Sequence, residues 1–96
     1  MDYLLQVFKA LANDRRLKIL ELLLDKGELH IENIASELRI PLATCCRNLK
    51  ILEKTYIISS RRNKGHVLYK LNKPDGHIYN KRIFELIRTR RTKKNQ

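Results

Sequence analysis

Pro41-Leu42-Ala43-Thr44-Cys45-Cys46-Arg47-Asn48-Leu49-Lys50-Ile51-Leu52-Glu53-Lys54 decides how the rest of the chain is read. Its apolar residues Leu42, Cys45, Leu49 and Leu52 fall at i, i+3, i+7 and i+10, which predicts one amphipathic helix. A step of about 100° per residue gathers Ala43, Cys46, Arg47, Lys50 and Lys54 on the other face. The small residues at its start allow close approach to a partner, and the cations after them suit a polyanion. Tyr56 to Ser60 and His66 to Leu71 then read as two short strands. The link between them, Arg61-Arg62-Asn63-Lys64-Gly65, is cationic and holds turn formers.

Working back from that helix, Ile31, Ile34, Ala35 and Leu38 give a shorter helix starting at Ile31 or Glu32 and ending at Leu38. Arg39-Ile40-Pro41 separates the two, because Ile40 before proline is pushed out of the helical region. Two helices joined by three residues, then a basic hairpin, predict a winged helix-turn-helix with its second helix, about 42–54, as the reader.

Toward the N-terminus, Asp2 can cap a helix over Tyr3–Ala12, and Asn13-Asp14 can cap another from Arg15 to about Asp25. The second of these is apolar around much of its circumference (Leu17, Ile19, Leu20, Leu22, Leu23, Leu24), as expected of a central helix contacted from several sides. Lys26-Gly27 ends it, and Glu28-Leu29-His30 reads as a third short strand able to join the hairpin. Past Asn72-Lys73-Pro74-Asp75-Gly76, a last helix is expected over about His77 to Arg88, with Tyr79, Ile83, Leu86 and Ile87 apolar. Residues 89–96 lack apolar side chains and read as a frayed, disordered basic tail beyond a domain at 1–88. The expected fold is mostly α with a small antiparallel β-wing.

Ninety-six residues suffice for one small domain with a marginal core. Charge is segregated along it. Residues 1–40 hold six Lys/Arg against seven Asp/Glu, a net of −1, and residues 41–96 hold fifteen against three, a net of +12, which together give the formal +11. Such a division points to a polyanion-facing side rather than to solubility alone. No run of 18 apolar residues exists and the N-terminus has no signal pattern, so neither a membrane span nor a membrane partner is expected. Adjacent Cys45 and Cys46 cannot make a disulfide framework, which fits a reduced, cytoplasmic setting. No nucleophile–base pairing or Gly-rich phosphate loop appears, so an enzyme is not expected.

The words of the sequence also resemble a known family. Phe8-Lys9-Ala10-Leu11-Ala12-Asn13-Asp14-Arg15-Arg16-Leu17-Lys18-Ile19-Leu20 is similar to the F-x-A-L-A-[DN]-x-x-R-L-x-I-L opening of ArsR/SmtB-type transcriptional regulators. Glu28-Leu29-His30-Ile31-Glu32-Asn33-Ile34-Ala35 resembles that family's E-L-x-V-x-[ED]-L-A. Thr44 to Leu52 resembles its T-V-S-x-H-L-K-x-L, and the wing closing on Tyr69-Lys70-Leu71 also fits. The resemblance covers about residues 4 to 87, although the helix-turn-helix part alone is shared with MarR-like and other winged-helix regulators. It implies a homodimeric repressor of double-stranded DNA, with Leu4, Phe8, Tyr79, Ile83, Leu86 and Ile87 on the first and last helices as the dimer interface.

On that reading Arg47 and Lys50 are the main groove-facing candidates, Arg47 for a guanine edge and Lys50 for a phosphate. Ala43 and Thr44 sit where the helix start meets backbone or a thymine methyl. Cys46 and Asn48 stand where the pattern has Ser and His, and Lys54 extends the basic face. Arg61, Arg62 and Lys64 suit phosphate or minor-groove contact. Cys46, outward near a helix start, is the candidate redox residue, while Cys45 lies on the core stripe.

No metal site or other cofactor is expected. The thiolate pair of the family's sensors falls here on His30 and Glu32. Asp75-x-His77 imitates half of the other common site, but Arg88 stands where a second His would complete it. Two further readings stay open: a winged helix serving as a protein-interaction module in a nucleic-acid machine, and a nonspecific DNA coat.

Overall fold

A computed structural model describes residues 2–94. The elements run α1 (Tyr3–Leu11), α2 (Asp14–Lys26), β1 (Leu29–His30), α3 (Ile31–Leu38), α4 (Leu42–Glu53), β2 (Ile58–Asn63), β3 (His66–Leu71) and α5 (Asn80–Lys94). Both expected N-caps form. Asp2 accepts from the Leu4 amide at 2.9 Å and Asn13 from the Arg16 amide at 3.1 Å. The central role of α2 is borne out, for it touches α1, α3, α4, α5 and β3. Its Ile19 and Leu20 are fully buried. No described helix is long and apolar enough to cross a membrane.

The three strands form one antiparallel sheet in the order β1-β3-β2, with Leu29 opposite Tyr69 and Ser60 also opposite Tyr69. The hairpin is tighter than its composition suggested. Arg61, Arg62 and Asn63 belong to β2, pairing with Leu68, Val67 and His66, and only Lys64-Gly65 is left to turn. Both turn residues have positive φ, 50° and 81°, the pattern of a two-residue turn whose twist suits a β-ribbon. Pairing continues to the tip because each extra ladder bond adds order at little cost once the turn has closed.

At the helix-turn-helix corner, Arg39 takes a left-handed conformation (φ 55°), and the Ile40 amide returns to the Ala35 carbonyl at 3.1 Å. This closes α3 and lets Pro41 start α4. Tyr3 ties the chain's start to the end of α4, its hydroxyl donating to the Thr55 carbonyl at 2.6 Å.

The C-terminal segment departs from expectation. α5 begins three residues later than predicted, at Asn80, and continues as helix through Lys94 instead of fraying after Arg88. The reason is electrostatic. Arg90 bonds Glu21 and Asp14, and Arg91 bonds Asp25, all on α2. A stretch with no apolar residue is thus held by three carboxylates of a neighbouring helix. The last two residues of the expected tail, 95 and 96, lie outside the described residues.

Candidate nucleic-acid interface

The helix α4 carries the site, and its phase is set by what it buries. Cys45, Asn48, Leu49 and Leu52 turn inward, at i, i+3, i+4 and i+7. Burying Leu49 and Leu52 stabilises the fold by about 1.5–3 kcal/mol each. Ala43, Arg47, Lys50 and Lys54 are left exposed on the far side, with Thr44 and Cys46 half-buried on the flanks.

Two expectations for α4 are corrected by this phase. Leu42 is 49% exposed rather than part of the core stripe, because the first turn overhangs the end of the core. Asn48 is only 7% exposed and cannot face a groove. Its Nδ2 donates to the Thr44 carbonyl at 3.1 Å and its Oδ1 accepts from Arg16 at 3.0 Å. Arg16 in turn donates from Nε to the Ala10 carbonyl at 2.5 Å, with a longer bond of 3.3 Å to that of Lys9. This polar cluster joins α1, α2 and α4, and burial pushes the Arg16 pKa down. The signal for Asn48 was in the sequence, since it fills the i+3 place between Cys45 and Leu49. A polar side chain there is buried when an arginine from another helix satisfies it.

Cys46, Lys50, Arg61 and Arg62 come together around a cleft of about 670 Å³ between α4 and the wing. Glu53 also lines it and accepts from the Ser60 hydroxyl at 2.5 Å, fastening the end of α4 to β2. Neither Glu53 nor Ser60 was singled out in the sequence, where their side chains carry no periodic signal. Lys64 is exposed at the wing tip, away from this cleft.

Arg61 is less available than its exposure suggests. Its guanidinium forks onto Glu28, with Nε at 2.9 Å and a terminal nitrogen at 2.7 Å. The bridge reaches from β2 over Leu68 of β3 to the residue before β1. The hydrogen bond from Arg61 holds the Glu28 carboxyl below its ordinary range, and Glu28 raises the Arg61 pKa in return. Among the described residues, Arg47, Lys50, Lys54, Arg62 and Lys64 have no ion-pair partner.

The two cysteines differ as their positions predict. Cys45 is fully buried, and burial pushes its thiol up to about 11, with Cys46 adding to the shift. Cys46 is half-buried in the cleft.

The expected interface residues on α1 and α5 divide into two sets. Phe8 and Leu86 are exposed, at 57% and 63%, and with Leu4, Tyr79 and Arg82 they border a shallow apolar groove of about 250 Å³. Ile83 and Ile87 are instead buried in the protomer's own core, at 4% and 3%. Both belong to the core cluster, Ile83 also lining the floor of that groove, so replacing them would damage the fold itself.

A helix-turn-helix with a basic two-stranded wing defines the class, and the comparisons agree with it. Residues 13–57 match the family of winged helix-turn-helix DNA-binding domains. The chain is 31% identical over 83 residues to an uncharacterised HTH-type transcriptional regulator, MJ1325, of Methanocaldococcus jannaschii, covering 86% of this chain and 85% of that one. It is 38% identical over 71 residues to the HTH-type transcriptional regulator Rv0324 of Mycobacterium tuberculosis, covering 74% of this chain. The match spans only 31% of Rv0324. The solution structure of the homodimeric winged helix-turn-helix domain Mb0332 of Mycobacterium bovis, described as a possible ArsR-family regulator, superposes with a TM-score of 0.78 at 35% identity. That likeness covers 92% of this chain and 77% of the other. The chain belongs to the ArsR-type family of winged helix-turn-helix transcriptional regulators.

Proposed function

We propose that the protein represses transcription by binding a pseudo-palindromic duplex site as a homodimer. The observation that carries this reading is the division of α4: a buried inward stripe, and an outward face of Ala43, Arg47, Lys50 and Lys54 whose cations have no ion-pair partner among the described residues. Set into a major groove, that face offers Arg47 to a base edge and Lys50 and Lys54 to phosphates, while the Ala43 end permits close approach. Arg62 and Lys64 extend the contact to the backbone beside the groove.

Dimerisation is supported by the exposed apolar side chains Phe8 and Leu86 on adjacent helices and by the homodimeric state of the M. bovis neighbour. In such a dimer the two reading helices stand roughly 34–36 Å apart, one turn of DNA. Occupying the duplex is enough to block transcription, which makes repression the simplest output. Any thiol response of the site falls to Cys46, since Cys45 is sealed in the core.

The pairing of Arg90 and Arg91 with α2 counts against a nonspecific coat, because it removes charge from the surface such a coat would use. The deciding experiment competes the DNA flanking the protein's own gene against random duplex at fixed salt. A preference of about 10³ or more is expected. Equal affinity for both would overturn the proposal.

A further inference from the structure

The face of the sheet that carries the Arg61–Glu28 bridge also holds a group of ligating side chains drawn from three segments. His30 ends β1, Glu32 lies in the first turn of α3, and His66 begins β3 beside the wing turn. One ligand atom from each lies within 4.8 Å of the other two. The sheet makes the meeting. His30 pairs with Leu68, so His66, two residues earlier on β3, projects from the same face. The two imidazole rings stack with centroids 4.5 Å apart and planes 11° apart.

We propose that His30, Glu32 and His66 form a binding site for a first-row divalent cation of the zinc class. Two imidazoles and one carboxylate are a nitrogen–oxygen donor set, which suits zinc or cobalt rather than thiophilic ions. Donor atoms around one tetrahedral zinc stand roughly 3.3 Å apart for bonds near 2.0 Å. Drawing the three together from 4.8 Å needs only side-chain rotation, and Glu32 and His66 are exposed and free to rotate. The backbone need not move, since His30 and His66 are fixed in the same sheet. Water completes the coordination from the solvent side.

The surrounding charges permit a cation. Arg61 is neutralised by Glu28, leaving Lys70 as the nearby unpaired base on that face of the sheet, and Glu32 offsets it. The ligand set also differs from the thiolate pair that the sequence resemblance associates with positions 30 and 32. The third donor, His66, lies 34 residues beyond Glu32 and is brought near it by the pairing of β1 with β3 and the packing of α3 on β3. A bound ion would tie the turn end of the wing to the start of the helix-turn-helix. The proposal rests on the donors alone and does not depend on the DNA reading.

Zinc titrated calorimetrically into the tag-free 96-residue chain tests it. One ion per chain with micromolar or tighter affinity is expected, and His66→Gln and Glu32→Gln should each weaken binding by at least about tenfold. His77→Gln should leave it unchanged, because His77 stacks on Tyr3 far from this face. Cobalt should give a visible absorption band in the parent that diminishes in His66→Gln. Circular dichroism of both variants should match the parent, since both side chains are exposed. Absence of saturable zinc binding, or parent-like binding by His66→Gln, would overturn the site.

Discussion

Helix α4 and the last three turns of α5 are both rich in cations, yet the fold treats them in opposite ways. On α4, Arg47, Lys50 and Lys54 face outward with no carboxylate partner among the described residues. On α5, Arg90 and Arg91 turn onto Asp14, Glu21 and Asp25 of α2. Three of the seven acids of residues 1–40 are therefore committed to the C-terminal helix, and no ion pair among the described residues compensates the reading helix. Charge along a sequence says how many cations there are; only packing says which remain available to a partner.

The comparison breaks most directly at Arg47. Arg47→Ala should lower affinity for the preferred duplex by about 1–3 kcal/mol, roughly fivefold to 150-fold, and relax sequence preference. Arg90→Ala with Arg91→Ala removes twice the formal charge and should still leave duplex affinity nearly unaltered. Parallel binding isotherms settle it. Equal losses for the two changes would mean that α5 cations also reach DNA.

The same α5 double variant should instead lose stability. Arg90 and Glu21 are largely covered, at 27% and 12% side-chain exposure, so their pair is worth more than a solvated one. The expected cost is about 1–2 kcal/mol, above the range for single exposed pairs because two carboxylates share Arg90. For a chain of this size that lowers Tm by very roughly 4–15 °C. An unchanged melting temperature would mean that the last turns of α5 are held by something other than these pairs.

How far this contrast could be read in advance depends on where the partner lies. Helices α1 to α4 follow from periodicity and caps, because their decisive contacts are local or fall on one face. The wing's register and the Lys64-Gly65 turn were blurred, since Arg61 to Asn63 look like loop until β3 is laid against them. Asn48 was misplaced because its polarity outweighed its helical phase, and the Arg16 that satisfies it lies 32 residues away. Ile83 and Ile87 were correctly apolar, but periodicity alone does not tell a core face from an interface face. The α5 extension was illegible for the same reason as the α2 carboxylates. Nothing in an all-polar stretch announces which distant acids will claim it.

Arg61 lies between the two extremes and sharpens the comparison. It is a wing cation whose charge is consumed as on α5, yet whose position is that of a DNA contact. Glu28→Gln keeps the side chain's size but removes the carboxylate charge, so Arg61 should gain freedom to meet phosphate. Duplex affinity should rise by about threefold, with the salt slope steepening by up to roughly one unit. Arg61→Ala should cost much less affinity than Arg62→Ala in the parent. A slope that does not move in Glu28→Gln would show that Arg61 never reaches the backbone.

The smallest effect is expected in mild acid, where the paired and unpaired cations should part company. The Asp14 carboxyl is held below its ordinary value of 3.8, first by the hydrogen bond from Lys18 and then by Arg90. Glu28 is likewise held below its ordinary 4.5 by Arg61. Folded-state values below the unfolded ones mean that these bridges contribute fully above the ordinary carboxylate range. Their contribution fades as pH falls through that range toward the lower folded values. Melting temperature should therefore hold steady down to about pH 5 and decline below it. The decline should be shallower in Arg90→Ala, which has already lost one partner of Asp14. It should be unaltered in Arg47→Ala, because Arg47 has no carboxylate to protonate. Asp14 is exposed and Glu28 half-buried, and solvent reaches both bridges, so the difference between variants is more telling than the size of the decline. Identical acid profiles for Arg90→Ala and the parent would mean that Lys18 alone accounts for Asp14, and that α5 is not anchored through it.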